Sequence, residues 1–385
     1  MIDQPFHILL IFTGIIALSL FLSDNYKIAQ KISPILIILF FSALLANLGI
    51  IRTDNPFYGD INSYAVPFAV TLILFHVRLS DLKNAGLPML VAFGIGAAGS
   101  TIGSLVGGIV LSAEFNSILP AEGWKIVGPY IGTYIGGSLN FFSLWTGLGI
   151  DNPNLFAAAN AVDNLTFFPI FLFWIIAPNY LSKYFKSGDK WHQKEVDDLN
   201  EKDKTVLFIP THIIGLTFSA LLIMFLSKWI KTEFISAWMP NLPTILIITT
   251  LALVAAQIKF VQKLQGSQLL GNLAFYLFFA SVGAMMDIPK AIELAPILFL
   301  FVIIVILIQV SLVLVLGKLF KLDIKVLAVA AVAAKLGPSS VIALTNSKNW
   351  NKLALPGIAA GLLGYAIGNY IGFAGAYFLK FILGS

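Results

Sequence analysis

The chain is predicted to be an all-α polytopic membrane protein built as an inverted repeat, with five spans and one broken or re-entrant segment in each half. Three observations carry that prediction: the composition, the spacing of apolar runs, and two matched glycine breaks. Of 385 residues, 58% are hydrophobic and 11% are charged, whereas a soluble domain carries about 25% charge. Apolar runs of the ~20 residues that a bilayer crossing needs recur along the whole length. YIGGSLNF around Gly136–Ser138 and AKLGPSSV around Gly337–Ser340 interrupt two of them at corresponding places.

Composition also excludes. With no cysteine, a disulfide framework and thiol chemistry are ruled out. The net charge of +5 is modest and no long polybasic run occurs, so nucleic acid is not an expected partner. The opening MIDQPF carries Asp3 but neither lysine nor arginine, so the first apolar run reads as a retained span rather than a signal peptide.

In order along the chain, crossings are expected near 5–22, 33–52, 62–78, 86–112 and 154–176 in the first half. In the second they fall near 205–229, 242–258, 267–286, 294–317 and 353–379. The glycine breaks lie within 126–149 and 324–346. A polar stretch, 179–204, divides a first repeat (1–178) from a second (205–385) and reads as a cytoplasmic linker. The halves resemble each other: ISPILIILFFSALLANLGIIR from Ile32 parallels NLPTILIITTLALVAAQIKFV from Asn241. Tryptophans are expected mostly near span ends, as interfacial aromatics are. GIGAAGSTIGSLVGG (94–108) has nucleotide-loop spacing, but it lies within an apolar span with no strand before it. Close helix packing or dimerisation is the expected role.

Charge placement addresses whether the broken segments cross or fold back. As a helix, 126–135 would rise ~15 Å, half of a ~30 Å hydrocarbon core. If both segments are re-entrant, lysines and arginines split seventeen to six between the two faces, and still eleven to six without the central linker. If all twelve segments cross, the split without the linker is eight to nine. The positive-inside rule therefore favours ten spans plus two hairpins over twelve spans with two broken helices. Both termini would then lie outside a bacterial inner membrane. The hairpins would enter from opposite sides with tips meeting near mid-membrane.

Asp163 lies about midway along its span, flanked at helical spacing by Asn160 and Asn164. An ionised group there is costly unless paired or hydrated, which marks a pathway. Carboxylate and amide oxygens suit sodium, and a buried carboxyl can also carry a proton. Lys335, two residues before Gly337, either neutralises Asp163 or holds a solute carboxylate. Gly136, Gly137, Ser138, Asn140, Gly337, Ser339 and Ser340 are the candidate solute contacts, because broken helices expose backbone donors and acceptors. Asn369, matched to Asn164, joins Asn160, Asp163 and Asn164 as a candidate for ion coupling.

Over nearly its whole length the chain resembles the YjcL-like family of bacterial membrane proteins. That group is distantly similar to the cation/proton antiporter, bile-acid-type and sodium–glutamate symporter clan. In the sodium–glutamate and sodium–citrate symporters, inverted halves each carry a re-entrant GGxG-like segment. Here Gly136-Gly137-Ser138-Leu139 keeps the double glycine, and Gly337-Pro338-Ser339-Ser340 keeps one. Asp163-Asn164 resembles the clan's aspartate–asparagine pair after the first break. The broken segments, Lys335 and Asp163 together point to a secondary transporter driven by sodium or protons, acting on a small anionic solute such as an organic acid, amino acid or short peptide. The family resemblance itself implies no particular substrate. The runner-up is a sodium/proton antiporter without organic substrate. Membrane lipid and a second copy of the chain are the other expected partners. No cofactor beyond a sodium ion at Asp163 is implied. An intramembrane enzyme lacks any nucleophile–base or metal constellation in the sequence.

Overall fold

A computed structural model describes residues 2–26, 29, 34–185, 209–240 and 242–384, the Ser339 side chain excepted. Residues 186–204 of the expected linker lie outside the described residues. Among the described residues the chain is helical, and its one isolated bridge joins Ile2 to Ile51.

The first half contains α1 (Pro5–Asn25), α2 (Pro34–Asn47), α3 (Phe57–Leu74), α4 (Leu87–Val110), α5 (Val127–Gly136), α6 (Ser138–Gly147) and α7 (Pro153–Leu181). The second contains α8 (Pro210–Ile230), α9 (Thr244–Ala255), α10 (Ser267–Met285), α11 (Ile288–Leu319), α12 (Ile324–Lys348, broken at Gly337) and α13 (Asn351–Leu383). Helix starts follow local chemistry. Proline occupies the first turn of α1, α4, α7, α8 and α11, where its missing N–H costs nothing. Asn152 caps α7 by accepting from the Leu155 N–H at 2.9 Å, and Asp287 caps α11 from the Lys290 N–H at 3.2 Å. α7 runs three residues beyond the expected repeat boundary at 178.

Among the described residues, seven helices are long and apolar enough to cross a membrane. Large apolar side chains such as Phe218, Phe225, Leu307 and Val315 stand exposed on their surfaces, as lipid-facing residues do. The protein is a polytopic α-helical membrane protein. α2 and α9 are shorter than expected, at 14 and 12 residues. They rise only ~21 and ~18 Å.

Both glycine breaks reverse the chain. A methyl built on Gly132 of α5 would lie 3.1 Å from Asn140 Cβ, and one on Gly128 would lie 2.7 Å from Leu148 Cδ1. On a continuous helix Gly132 and Asn140 would be ~12 Å apart, so α5 and α6 form a hairpin. In α12, a methyl built on Gly357 would touch Val329 and lie 2.6 Å from Val341 Cγ1. Those valines would be ~18 Å apart on an unbroken helix, so α12 folds back too. The turns have the same backbone: Gly137 sits at φ 72°, ψ −176° and Gly337 at φ 78°, ψ 179°. That conformation is open essentially only to glycine.

The helices form two groups. In one, α10 packs on α2 and α3, α9 packs on α3 and α8, and α1 packs on α2. In the other, α4 lies along α11, α13 lies against α5 and α12, and α7 crosses α11 and α12. The α4–α11 contact is the glycine stripe: methyls built on Gly99 and Gly103 would come within 3.1 Å of Gln309 Cα and 2.9 Å of Val305 O. This stripe is a packing surface, not a nucleotide loop.

Contacts define two opposite ends. At one, the Asn47 amide donates to Met286 O at 2.8 Å, and the Asp287 N–H donates to Asn154 Oδ1 at 2.6 Å. With the Ile2–Ile51 bridge these mark the terminal face. At the other, Ser267 Oγ lies 2.9 Å from His76 Nδ1 and Lys348 Nζ lies 3.4 Å from Asn179 Oδ1. This is the linker face. The α5–α6 hairpin starts and ends at the terminal face, and α12 starts and ends at the linker face.

Candidate functional site

The two hairpin tips meet on one aromatic ring. Methyls built on Gly137 and Gly337 would lie 3.7 Å and 3.8 Å from the same carbon, Cε1 of Tyr365 on α13. Close approach of α13 makes this possible. A methyl on Gly361 would sit 3.0 Å from the Pro338 ring, and one on Gly364 would sit 3.0 Å from Gly136 Cα. Small residues along α13 thus admit both tips where any side chain would hold them off.

Beside the tips, Asp163 and Lys335 form an ion pair with both side chains buried. Lys335 stands in the last turn before its glycine break, where helix carbonyls lack partners and favour a cation. Its Nζ also lies 3.7 Å from the ring centroid of Tyr134 on α5, over the electron-rich face. The other carboxylate oxygen of Asp163 accepts from Thr133 Oγ1 at 3.3 Å. Hairpin one therefore supplies a hydroxyl and a ring, hairpin two supplies the ammonium, and α7 supplies the carboxylate. The paired state is close to neutral overall, which is what makes two charges tolerable at this depth.

A cavity of about 300 Å³ opens beside the pair. Asp163, Asn164, Lys335, Ser138 and Tyr365 line it, and α10 faces them with Gln268 and Asn272. The expected site residues divide accordingly. Gly137, Ser138, Asp163, Asn164 and Lys335 wall the cavity, and Gly337 backs Tyr365. Asn160 holds Asn164 in place by accepting from its amide at 2.8 Å through the main chain and at 3.2 Å through Oδ1.

Other candidates lie away from the cavity. Gly136 is pressed against Gly364. Asn140 is buried and donates to Gly364 O at 3.0 Å, so it ties hairpin one to α13. Ser340 donates back to Leu336 O at 3.1 Å. Asn369 is buried on α13 and donates to Thr249 Oγ1 at 3.0 Å, joining the two helix groups instead of Asp163. The side chain of Ser339 lies outside the described residues. Of the two roles expected for Lys335, its ammonium is seen in the first, against the Asp163 carboxylate.

Sequence reading missed Thr133, Tyr134, Gln268 and Asn272. The last two stand four residues apart in SQLLGNLAF, a polar stripe on one face of an apolar helix, so a signal existed. Thr133 and Tyr134 gave none, since each is ordinary in a membrane helix. Among the described tryptophans, Trp229, Trp238 and Trp350 lie at or beyond helix ends, as expected. Trp124, Trp145 and Trp174 are buried, and Trp145 packs 5.2 Å from Phe156 in an interior aromatic cluster.

A family model described as "Protein of unknown function (DUF819)" matches residues 9–382. The chain belongs to the DUF819 family. The match spans both hairpins, the ion pair and the cavity between them. The chain is also 28% identical over 384 residues to "Uncharacterized membrane protein YjcL" of Bacillus subtilis (strain 168), covering 95% of each protein. The resemblance to the YjcL-like family, which extends over nearly the whole length, is thus a family membership. It carries a membrane location and no substrate.

Proposed function

We propose that this DUF819 protein is a secondary active transporter for a small anionic solute, an organic acid, amino acid or short peptide, coupled to sodium or protons. The observation that carries this is the buried Asp163–Lys335 pair at the wall of a cavity where two reversed segments meet. A paired lysine can be exchanged. A proton or sodium ion arriving at Asp163 neutralises the carboxylate and releases the Lys335 ammonium. The freed ammonium then faces the cavity and holds the solute's carboxylate. Ion and solute thereby bind together or not at all, because a charged lysine or a charged aspartate left alone at this depth costs several kcal/mol. Asn164 and Thr133 are placed to add oxygens to a bound cation, and N–H groups at the start of α6 favour an anion.

Several features support an inverted repeat of ten spans and two hairpins in a bacterial inner membrane. Six helical segments follow the same order in each half. The breaks share one backbone conformation, and α4 packs on α11 and α3 on α10, each helix against the one in the matching place. With this arrangement both termini lie outside. No enzymatic step is proposed at this cavity.

The test is uptake by purified protein in proteoliposomes against a panel of radiolabelled dicarboxylates, amino acids and dipeptides, with sodium or pH gradients imposed separately. Gradient-dependent uptake that Lys335→Ala abolishes supports the proposal. Sodium flux driven by a pH gradient with no solute present would replace it with the antiporter reading. Uptake indifferent to both gradients would refute coupling.

A further inference from the structure

A second cavity, about 200 Å³, lies nearer the terminal face. Four elements line both cavities, in matching order. Along α10, Gln268 and Asn272 face the central cavity, and Val282 and Met285 face the second. α3 does the same with Ile73 and then Asn62, α6 with Ser138 and then Thr146, and α7 with Asp163 and then Pro153. From Gln268 to Met285 the helix rises ~26 Å, most of a ~30 Å hydrocarbon core. The cavities are therefore in series across the depth of the membrane, not side by side.

Between them stands a layer of phenylalanines. Phe142 and Phe275 face the central cavity, while Phe156 and Phe278 face the second. Ring centroids lie 5.2 Å apart for Phe142–Phe275, 5.3 Å for Phe156–Phe278 and 6.0 Å for Phe142–Phe156. Phe279 fills the middle, 4.7 Å from Phe142. All five are buried. Phe142 and Phe156 belong to the hairpin-bearing group, and Phe275, Phe278 and Phe279 belong to α10 of the other. The seam between groups is thus closed here by ring contacts. Rings can slide apart without breaking a hydrogen bond.

We infer that the second cavity is the outer mouth of the solute path, and that the Phe142–Phe156–Phe275–Phe278 layer is the barrier that closes it while the central cavity faces the linker side. This rests on the transport reading for what moves along the path, but not for the path itself. Relative displacement of the two helix groups separates the rings and joins the cavities from the terminal face. The ion pair then becomes reachable from that side.

Thiol accessibility tests this directly, because the chain contains no cysteine. Ser138→Cys and Thr146→Cys are reconstituted separately and treated with a membrane-impermeant methanethiosulfonate from each side of the vesicle. Thr146→Cys is expected to react from the terminal face only, and Ser138→Cys from the linker face only. Adding Phe142→Ala, or in a second variant Phe278→Ala, should make Ser138→Cys reactive from the terminal face as well. Phe142→Leu, which keeps most of the bulk, should not. Reaction of both cysteines from one face, or a Ser138→Cys whose sidedness survives both alanine variants, overturns the inference. Uptake is not read here, so a sided and gated path that carries no solute would refute the transport reading and leave the barrier standing.

Discussion

Asp163 and Lys335, 172 residues apart in the chain, form an ion pair buried where the two reversed segments meet. Neither residue is stable at that depth alone, and each is brought there by a different half of the protein. Stability and coupling are therefore both written into one contact, and the two can be separated experimentally.

Breaking the pair from either side leaves a buried unpaired charge. Lys335→Met and Asp163→Asn are each expected to cost about 3–5 kcal/mol, lowering the unfolding midpoint in detergent. Combining them removes both charges, so the double variant should recover most of that loss while remaining inactive in uptake. A double variant whose loss equals the sum of the two single losses would show that the two residues do not depend on each other.

The turns at Gly137 and Gly337 need a backbone conformation that side chains resist. Gly137→Ala and Gly337→Ala are each expected to cost about 1–3 kcal/mol. The second should be worse, since the new methyl would lie 3.1 Å from the Tyr365 hydroxyl while the first has 3.7 Å of room. Gly14→Ala, helical and with nothing within 4 Å, is the control and should be neutral or stabilising. Thermal unfolding ranks all three, and equal behaviour of control and turn variants would contradict the reversed geometry.

Tyr365 supplies the ring on which both tips rest. Tyr365→Phe keeps that ring and should leave the midpoint nearly unchanged. Tyr365→Ala removes it and should cost about 3 kcal/mol, the low end for an aromatic truncation because this ring is only half-buried. Matching losses in the two variants would mean that the hydroxyl, not the ring, holds the tips.

Gly103 sets the distance between α4 and α11. A methyl there would come 2.9 Å from the Val305 carbonyl oxygen and 3.0 Å from Val305 Cα, so backbone would have to move. Gly103→Ala should cost about 1–3 kcal/mol through overpacking, whereas Gly94→Ala on the same helix meets nothing within 4 Å. The difference between their unfolding midpoints is the measurement.

Most of the helices were legible in the sequence because a helix in lipid must satisfy its own backbone hydrogen bonds, and length plus apolar composition suffices to mark it. α2 and α9 were drawn too long, since polar helix ends and apolar loops blur the hydropathy boundary. The two breaks were visible as Gly136-Gly137 and Gly337-Pro338. Their reversal could not be read from the glycines, because a glycine in a helix and a glycine in a hairpin tip are the same letter. The distribution of lysines and arginines was the signal that favoured it. Which candidates would face the cavity was equally hidden. Asn369 matches Asn164 in order along the chain but lies against Thr249, because the helix it faces differs.

What the sequence by itself determined is the membrane class, the two-half order of segments and the placing of one aspartate and one lysine where charge is costly. What only the tertiary structure decided is that those two charges meet, that both glycine tips touch Tyr365, and that α10 closes the cavity with Gln268, Asn272 and a phenylalanine layer. The physical reason is range. Hydropathy and backbone preference act over a few residues, whereas an ion pair or ring contact is chosen by which surfaces pack, and packing joins parts of the chain that share no local signal.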